Sequence, residues 1–150
     1  MVCAYCDGSL KLTSPNTIDH FLPRDEFEWL TLEWGNLYPA CTLCNSTYKG
    51  AQFSCRLLRP DVDPVDEWFH FDAITGALRP TRSLDRRSRA RVRMTIRVFN
   101  LNETDRCEGR LRVLSAVRDA YRLRGRATAE AYATQGPYRF VARRFLKAVS

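Results

Sequence analysis

Two Cys-x-x-Cys pairs constrain what this chain can fold into more than any other feature of the sequence. The pairs are Cys3 with Cys6 and Cys41 with Cys44. Thiolates at this spacing can bind one tetrahedral zinc ion through two tight turns, with Zn–S bonds of about 2.3 Å. Four protein ligands leave no open coordination position, so we expect a structural ion rather than a catalytic one. The metal would then hold residues 7–40 as an insert fixed at both ends.

Reduced core cysteines or a redox pair are the alternatives to zinc. The N-terminus has no basic region followed by an apolar stretch, which predicts a cytoplasmic protein without a signal peptide. In that reducing compartment, paired Cys-x-x-Cys motifs favour metal over disulfides. No apolar run approaches the roughly 20 residues of a membrane span. Cys55 and Cys107 have no partner motif, and we expect them to be ordinary thiols.

The insert contains the side chains of a candidate hydrolytic site. Asp19 and His20 are adjacent in a short β-compatible segment that Pro23 ends, and Asn45 follows the second cysteine pair. Histidine titrates near neutral pH, which suits a general base. Carboxylate and amide oxygens suit Mg²⁺. Taken singly, the Asp-His pair could be surface chemistry, Asn36 a turn residue and Asn45 a helix cap. Between two zinc pairs, together they predict phosphodiester hydrolysis.

The local patterns predict an α+β fold. Residues 1–50 should form a zinc knuckle with a polar loop through residue 16, two short strands around a turn, and a helix. The expected strands are 17–21 and 36–40, the turn or short helix 25–34, and the helix 44–50. A β-hairpin is predicted around residues 74–76, and the pattern becomes helical from about residue 84. We expect residues 1–80 to form the core with the zinc site and hairpin. Residues 81–150 should form a basic helical subdomain packed on it, in one compact domain.

The net charge of +7 is unevenly distributed along the chain. Residues 1–50 carry a net charge of −3, residues 51–80 carry −2, and residues 81–150 carry +12. Most of the positive side chains are arginine, which suits bidentate phosphate contacts. Three interpretations stay open for the basic half: a solvated helical surface, a grip on nucleic acid, or a docking face for an acidic partner.

These motifs resemble the HNH endonuclease family, also called ββα-metal nucleases, over residues 3–50. The resemblance rests on Cys3-x-x-Cys6, Asp19-His20 with Pro23, Asn36-Leu37, Cys41-x-x-Cys44-Asn45 and Lys49. It implies that His20 is the general base that activates water. It further implies that Asp19 and Asn45 hold a catalytic Mg²⁺ or Mn²⁺ beside the structural Zn²⁺. By the same resemblance, Asn36 fixes the loop carrying the base through backbone hydrogen bonds, and Lys49 and Arg24 contact phosphate.

A narrower resemblance covers more of the chain. Residues 18–24, 32–37, 44–50 and 95–102 look like the HNH proteins of Septu and retron anti-phage systems, the PtuB type. This resemblance implies a defence role beside an ATPase partner of the PtuA type. We therefore expect a metal-dependent HNH endonuclease acting on nucleic acid, with DNA favoured over RNA. The alternative is a zinc-stabilised nucleic-acid-binding or adaptor module without cleavage activity.

Overall fold

The structure, a computed structural model, describes residues 1–10, 17–54 and 56–150. The end of the predicted polar loop, residues 11–16, and the predicted ordinary thiol at Cys55 lie outside the described residues. The fold is mixed α+β, which confirms the predicted class. The first half contains two short strands and a helix, and the second half contains a β-hairpin and helices.

Two antiparallel strands form the centre of the first half. Strand β1 (Thr17–His20) pairs with β2 (Leu37–Ala40), and Asp19 lies opposite Tyr38. Side chains alternate between the two faces of a strand, so Asp19 and Tyr38 both point into the core while Ile18 is exposed. The connection between the strands contains two short 3₁₀ turns, at Glu28–Leu30 and Trp34–Asn36.

The helix after β2 is wound as a π-helix from Leu43 to Lys49 rather than as an α-helix. The amide of Gly50 donates to the Asn45 carbonyl at 2.7 Å, a bond that spans five residues. Five-residue spacing places Cys44 and Lys49 on the same side of the helix, and both side chains are buried. The winding therefore carries a zinc-type ligand and a lysine into the core together.

The second half begins with a short helix and a hairpin and continues as four helices. The elements are α1 (Val65–Trp68), β3 (Phe69–Phe71), β4 (Leu78–Pro80), α2 (Arg86–Val98), α3 (Thr104–Arg124), α4 (Arg126–Thr134) and α5 (Arg139–Ala148). Asp85 caps α2 by accepting hydrogen bonds from the amides of Arg87 and Ser88. Gly125, with a φ of +83°, ends α3 where the sequence predicts a helix end.

One hydrophobic cluster joins the cysteine region to the helices. It contains Cys3 and Cys44 together with Val92, Phe99 and Leu101. The Tyr5 ring stacks on the Phe99 ring, with centroids 4.2 Å apart and planes 15° apart. The two halves thus share this packing, and the predicted division at residue 81 stays a prediction.

Among the described residues, no helix is both long enough and apolar enough to cross a membrane.

Candidate functional site

The four paired cysteines converge on one buried point. Their sulfur atoms all lie within 4.8 Å of one another, and the Cys6 and Cys41 sulfurs are 4.0 Å apart. Four thiolates at Zn–S distances of about 2.3 Å in a tetrahedron would lie about 3.8 Å apart. The Asp7 amide donates to the Cys3 carbonyl at 3.0 Å, which closes the first knuckle. Geometry and donor chemistry therefore fit a structural zinc ion held by Cys3, Cys6, Cys41 and Cys44.

The surroundings of the cluster favour the thiolate form at Cys41. Hydrogen bonds from the thiols of Cys3, Cys44 and Cys6 hold the pKa of the Cys41 thiol well below its usual range. A buried guanidinium from α3 also reaches the cluster, with Arg106 Nη2 3.3 Å from the Cys44 sulfur. Arg106 also donates to the Phe99 carbonyl at 2.6 Å. Sequence patterns do not indicate a role for this arginine, since it lies 62 residues from Cys44 and belongs to no motif.

His20 is held at the end of β1 by the loop between the strands. Its Nε2 lies 3.0 Å from the Thr31 carbonyl oxygen. A carbonyl only accepts hydrogen bonds, so Nε2 carries the proton in this contact and Nδ1 keeps its lone pair. The imidazole is half-buried. This arrangement leaves Nδ1 as the atom that can accept a proton from water.

The Asn36 side chain forms hydrogen bonds to the backbone of the loop between β1 and β2. Its Oδ1 accepts from the Leu22 amide at 2.7 Å, and its Nδ2 donates to the carbonyls of Leu22 and Leu30 at 3.1 and 3.2 Å. The side chain is buried. These bonds fix the segments on both sides of the loop, one of which leads directly to Thr31.

Asp19 is enclosed rather than open to solvent. Its Oδ2 accepts a short hydrogen bond from the Tyr5 hydroxyl, and its Oδ1 accepts from Lys49 Nζ at 2.9 Å. Lys49 also donates to the His20 carbonyl at 2.8 Å. The exposed fractions are 3% for Asp19 and 1% for Lys49. A phosphate contact by Lys49, as predicted, would require this buried ion pair to open.

Asn45 lies on the π-helix and faces β1. Its Nδ2 donates to Thr17 Oγ1 at 3.0 Å and to the Ile18 carbonyl at 3.4 Å, which leaves Oδ1 as its available oxygen. An ion shared with Asp19 would have to approach a carboxylate whose two oxygens already bind Tyr5 and the Lys49 ammonium. As arranged, the donor set does not fit a divalent cation held by Asp19 and Asn45. That ligand pair stays a prediction.

The remaining predicted phosphate contact, Arg24, lies on the surface. Its guanidinium is mostly exposed and lies 3.7 Å from the carboxylate of Asp25. The loop that follows exposes large apolar side chains, with exposed fractions of 72% for Trp29 and 86% for both Leu32 and Trp34. The same loop carries four acidic residues, Asp25, Glu26, Glu28 and Glu33.

Comparison with known proteins supports the resemblance predicted from the sequence. Residues 3–50 match the family model described as HNH endonuclease. The chain is 31% identical over 107 residues to the Septu protein PtuB of Bacillus thuringiensis, a match that covers 69% of this chain and 38% of that protein. It is 30% identical over 64 residues to the Septu protein PtuB of Bacillus mycoides (strain KBAB4), covering 34% of this chain and 22% of that protein. The matches thus span well under half the length of either curated relative.

Proposed function

We propose, from the HNH endonuclease match over residues 3–50, that this chain hydrolyses the phosphodiester bonds of nucleic acid, with DNA favoured over RNA. The observation that carries the proposal is the His20 contact: Nε2 is bound to the Thr31 carbonyl, which leaves Nδ1 as a base. The zinc-type cysteine cluster and Asn36 support it by holding the elements on either side of this histidine.

In the proposed reaction, His20 Nδ1 takes a proton from a water molecule while the water oxygen attacks phosphorus. The new P–O bond forms in line with the P–O3′ bond that breaks, and the 3′-oxygen leaves and takes a proton from solvent. The Thr31 carbonyl stabilises the imidazolium that forms, because it already accepts the Nε2 proton. Arg24, with its exposed guanidinium, is proposed to contact the phosphate.

Dependence on Mg²⁺ or Mn²⁺ is part of the proposal, because HNH nucleases use divalent metals. The predicted ligands are Asp19 and Asn45. For Asp19 to serve, its carboxylate must exchange the contacts with Tyr5 and Lys49 for the ion. This requirement makes cation dependence a separate question from the role of His20.

The test is a plasmid-nicking assay with Mg²⁺, with Mn²⁺ and without added divalent cation, on DNA and RNA side by side. His20→Ala should lower the cleavage rate by about 10²–10⁴-fold, the usual contribution of a general base. The chain offers a matched control, since its second histidine, His70, is exposed on β3. His70→Ala should cut at the wild-type rate. Equal rates for the His20→Ala and His70→Ala proteins would remove His20 from the mechanism.

The alternative function is a zinc-stabilised nucleic-acid-binding or adaptor module without cleavage. The buried pair of Asp19 and Lys49 favours this alternative, because it occupies a carboxylate that a metal-dependent nuclease would need. A wild-type protein that binds DNA but cuts neither nucleic acid under any cation condition would support it.

The two PtuB relatives lead us to propose a role in anti-phage defence beside an ATPase partner of the PtuA type. The cleavage assay is repeated with and without that ATPase. A rate that rises only when both proteins are present would support partner-dependent cutting. Unchanged rates would point to a nuclease that acts alone.

A further inference from the structure

Five of the six arginines of helix α2 fall into two groups with different roles. Two of them are used inside the fold. Arg91 forms a bidentate pair with Asp63, with both N···O distances at 2.6 Å, and Arg89 donates to the carbonyls of Arg82 and Leu84. These contacts hold α2 against the preceding loops and leave neither guanidinium free for a ligand.

A second group forms an exposed stripe along the same helix. Arg86, Arg93 and Arg97 are separated by seven and four residues, which places them on one face of an α-helix. All three are exposed, and within the described ranges none of them forms a salt bridge with a carboxylate. The Arg97 guanidinium donates a hydrogen bond to the Met94 sulfur at 3.5 Å. The stripe is therefore a row of uncompensated positive charge.

The stripe leads into a cleft between the π-helix and the C-terminal end of α2. The cleft has a volume of about 520 Å³, within the range of typical ligand sites. Its lining includes Arg97 from α2, Thr47 and Tyr48 from the π-helix, and Phe53 and Ser54 from the segment that follows. Guanidinium and hydroxyl groups suit a phosphate, and aromatic rings suit an unpaired base.

The cleft is connected to the region of His20 through packed aromatic rings. The Phe53 ring contacts the Phe21 ring edge-on at 6.3 Å, and Phe21 directly follows His20. Phe53 also contacts Phe27, in the loop that carries Thr31, at 5.6 Å. A ligand in the cleft would therefore lie beside the element that holds the candidate base.

Charge decides the direction from which a polyanion can approach. The loop between β1 and β2, which contacts His20 through the Thr31 carbonyl, carries Asp25, Glu26, Glu28 and Glu33, which repel phosphate. The arginine stripe of α2 attracts it. A phosphodiester strand is thus favoured along α2 and disfavoured over the exposed tryptophans of the acidic loop, where Arg24 supplies the positive charge for the proposed phosphate contact.

We propose that a single strand of nucleic acid lies along Arg86, Arg93 and Arg97 and inserts one unpaired nucleotide into the cleft lined by Tyr48 and Phe53. The proposal rests on the proposed nuclease function, which it extends by naming the substrate class and the surface that binds it. The arginines bind phosphate groups and the cleft selects an unpaired nucleotide, while His20 lies at the neighbouring element.

The test measures binding of a short labelled single-stranded DNA, and of the same sequence as a duplex, to His20→Ala protein by fluorescence anisotropy. Adding Arg93→Ala and Arg97→Ala should weaken single-strand binding by about tenfold or more, since each removes a charge-assisted contact. The slope of log affinity against log salt should fall by about 0.7 for each lost phosphate contact. The matched control is Arg118→Ala with Arg124→Ala, two exposed arginines of α3 that remove the same charge.

Binding of the nucleotide in the cleft is tested by adding a negative charge there, which should repel phosphate. Thr47→Glu places a carboxylate in the cleft and should weaken binding of the single strand, whereas Thr134→Glu, at an exposed position of α4, should not. Circular dichroism checks that every variant keeps its helices.

Equal losses of single-strand affinity in the Arg93/Arg97 and Arg118/Arg124 variants would overturn the proposed binding surface. Tighter binding of the duplex than of the single strand would overturn the unpaired nucleotide in the cleft. The two proposals fail separately. If single-strand binding depends on Arg93 and Arg97 but the protein never cuts, the binding surface is supported and the nuclease function is rejected. If the Arg93/Arg97 variant cuts at the wild-type rate, the nuclease function is supported and the binding surface is rejected.

Discussion

At the scale of single residues, the most consequential contact is the buried pair of Asp19 and Lys49. Both side chains are almost completely removed from water. An unpaired charge in such a position is costly, and Lys49 Nζ also satisfies the His20 carbonyl. The pair therefore connects the strand that ends in the candidate base to the π-helix behind it.

Replacing Lys49 by Met should destabilise the protein strongly. The change removes one of the two donors that the described residues provide to the buried Asp19 carboxylate and leaves the Tyr5 hydroxyl, and breaking a buried ion pair costs about 3–5 kcal/mol. Denaturant unfolding monitored by circular dichroism measures the free energy of unfolding. Lys147, exposed on α5, provides the control, and Lys147→Met should change that free energy by less than about 0.5 kcal/mol. Similar values for the two variants would contradict the structural importance of the pair.

The sequence predicts which residue types belong to the candidate site but not how they pair. Adjacent positions on a strand face opposite ways, so one of Asp19 and His20 had to point inward, as Asp19 does. Nothing in the motif indicates that Tyr5, inside the first cysteine pair, and Lys49 meet this carboxylate. Those contacts join positions 14 and 30 residues away and depend on the tertiary fold.

At the scale of elements, local sequence signals predicted most of the fold, and the exception is the winding of one helix. Apolar spacing places the two strands and the hairpin close to their observed bounds and the start of the helical half close to Arg86, because it reports which face of an element is buried. Residues 44–50 are predicted as a helix, and the structure winds Leu43–Lys49 as a π-helix. Its winding is set by the burial of both Cys44 and Lys49, a tertiary demand that periodicity does not encode.

Helix α2, which carries the arginine stripe, depends on its N-terminal cap. The Asp85 carboxylate accepts from the Ser88 hydroxyl and from the amides of Ser88 and Arg87, and these hydrogen bonds hold its pKa below the ordinary value of 3.8. A lowered folded-state pKa stabilises the protein above the unfolded-state pKa, and the contribution is lost as the pH falls through the folded-state value.

Asp85→Ala should therefore lower the Tm by a few degrees at neutral pH. Asp85→Asn, which still caps but does not titrate, should retain most of the wild-type Tm. Thermal unfolding by circular dichroism at a series of pH values gives the Tm of each variant and its dependence on pH. The difference in Tm between the wild-type and Asp85→Ala proteins should decrease only once the pH falls below about 3.8. A gap that narrows already near neutral pH would assign the effect to another group.

At the scale of the whole molecule, the hairpin docks on α3 through a glycine. Gly76 has a φ of +74°, and a Cβ at this position would lie 2.3 Å from the Cys107 carbonyl oxygen. Arg110, buried on α3, donates to the Gly76 carbonyl at 2.9 Å. The close approach of two backbones leaves no room for a side chain at Gly76.

Gly76→Ala should cost more stability than Gly125→Ala, although both glycines have positive φ. At Gly125 a Cβ meets nothing within 4 Å, so its replacement costs only backbone strain of about 1–3 kcal/mol. At Gly76 the overlap with the Cys107 backbone should add about 1–3 kcal/mol. Denaturant unfolding of the two variants isolates the overlap term. Equal losses would mean that the hairpin shifts freely on α3.

The two halves also contact each other in the interior, where Arg106 of α3 lies beside the cysteine cluster. Four thiolates on one Zn²⁺ leave a net negative charge, which is costly to bury unless a cation lies beside it. Arg106 supplies that cation from α3 and is itself held by the Phe99 carbonyl. The basic half of the chain therefore contributes to the site that organises the other half.

Arg106→Leu should weaken zinc binding by about 10- to 100-fold, the usual effect of losing a residue that supports metal ligands. Competition with a colorimetric chelator measures the zinc affinity directly, and helical content by circular dichroism separates metal loss from misfolding. Arg112→Leu, on the exposed side of α3, removes the same charge without touching the cluster and should leave zinc affinity unchanged. Because the guanidinium acts through its charge and its hydrogen bond to Cys44, Arg106→Lys should recover part of the affinity. Equal zinc affinities for Arg106→Leu and Arg112→Leu would show that the cluster holds its metal without help from α3.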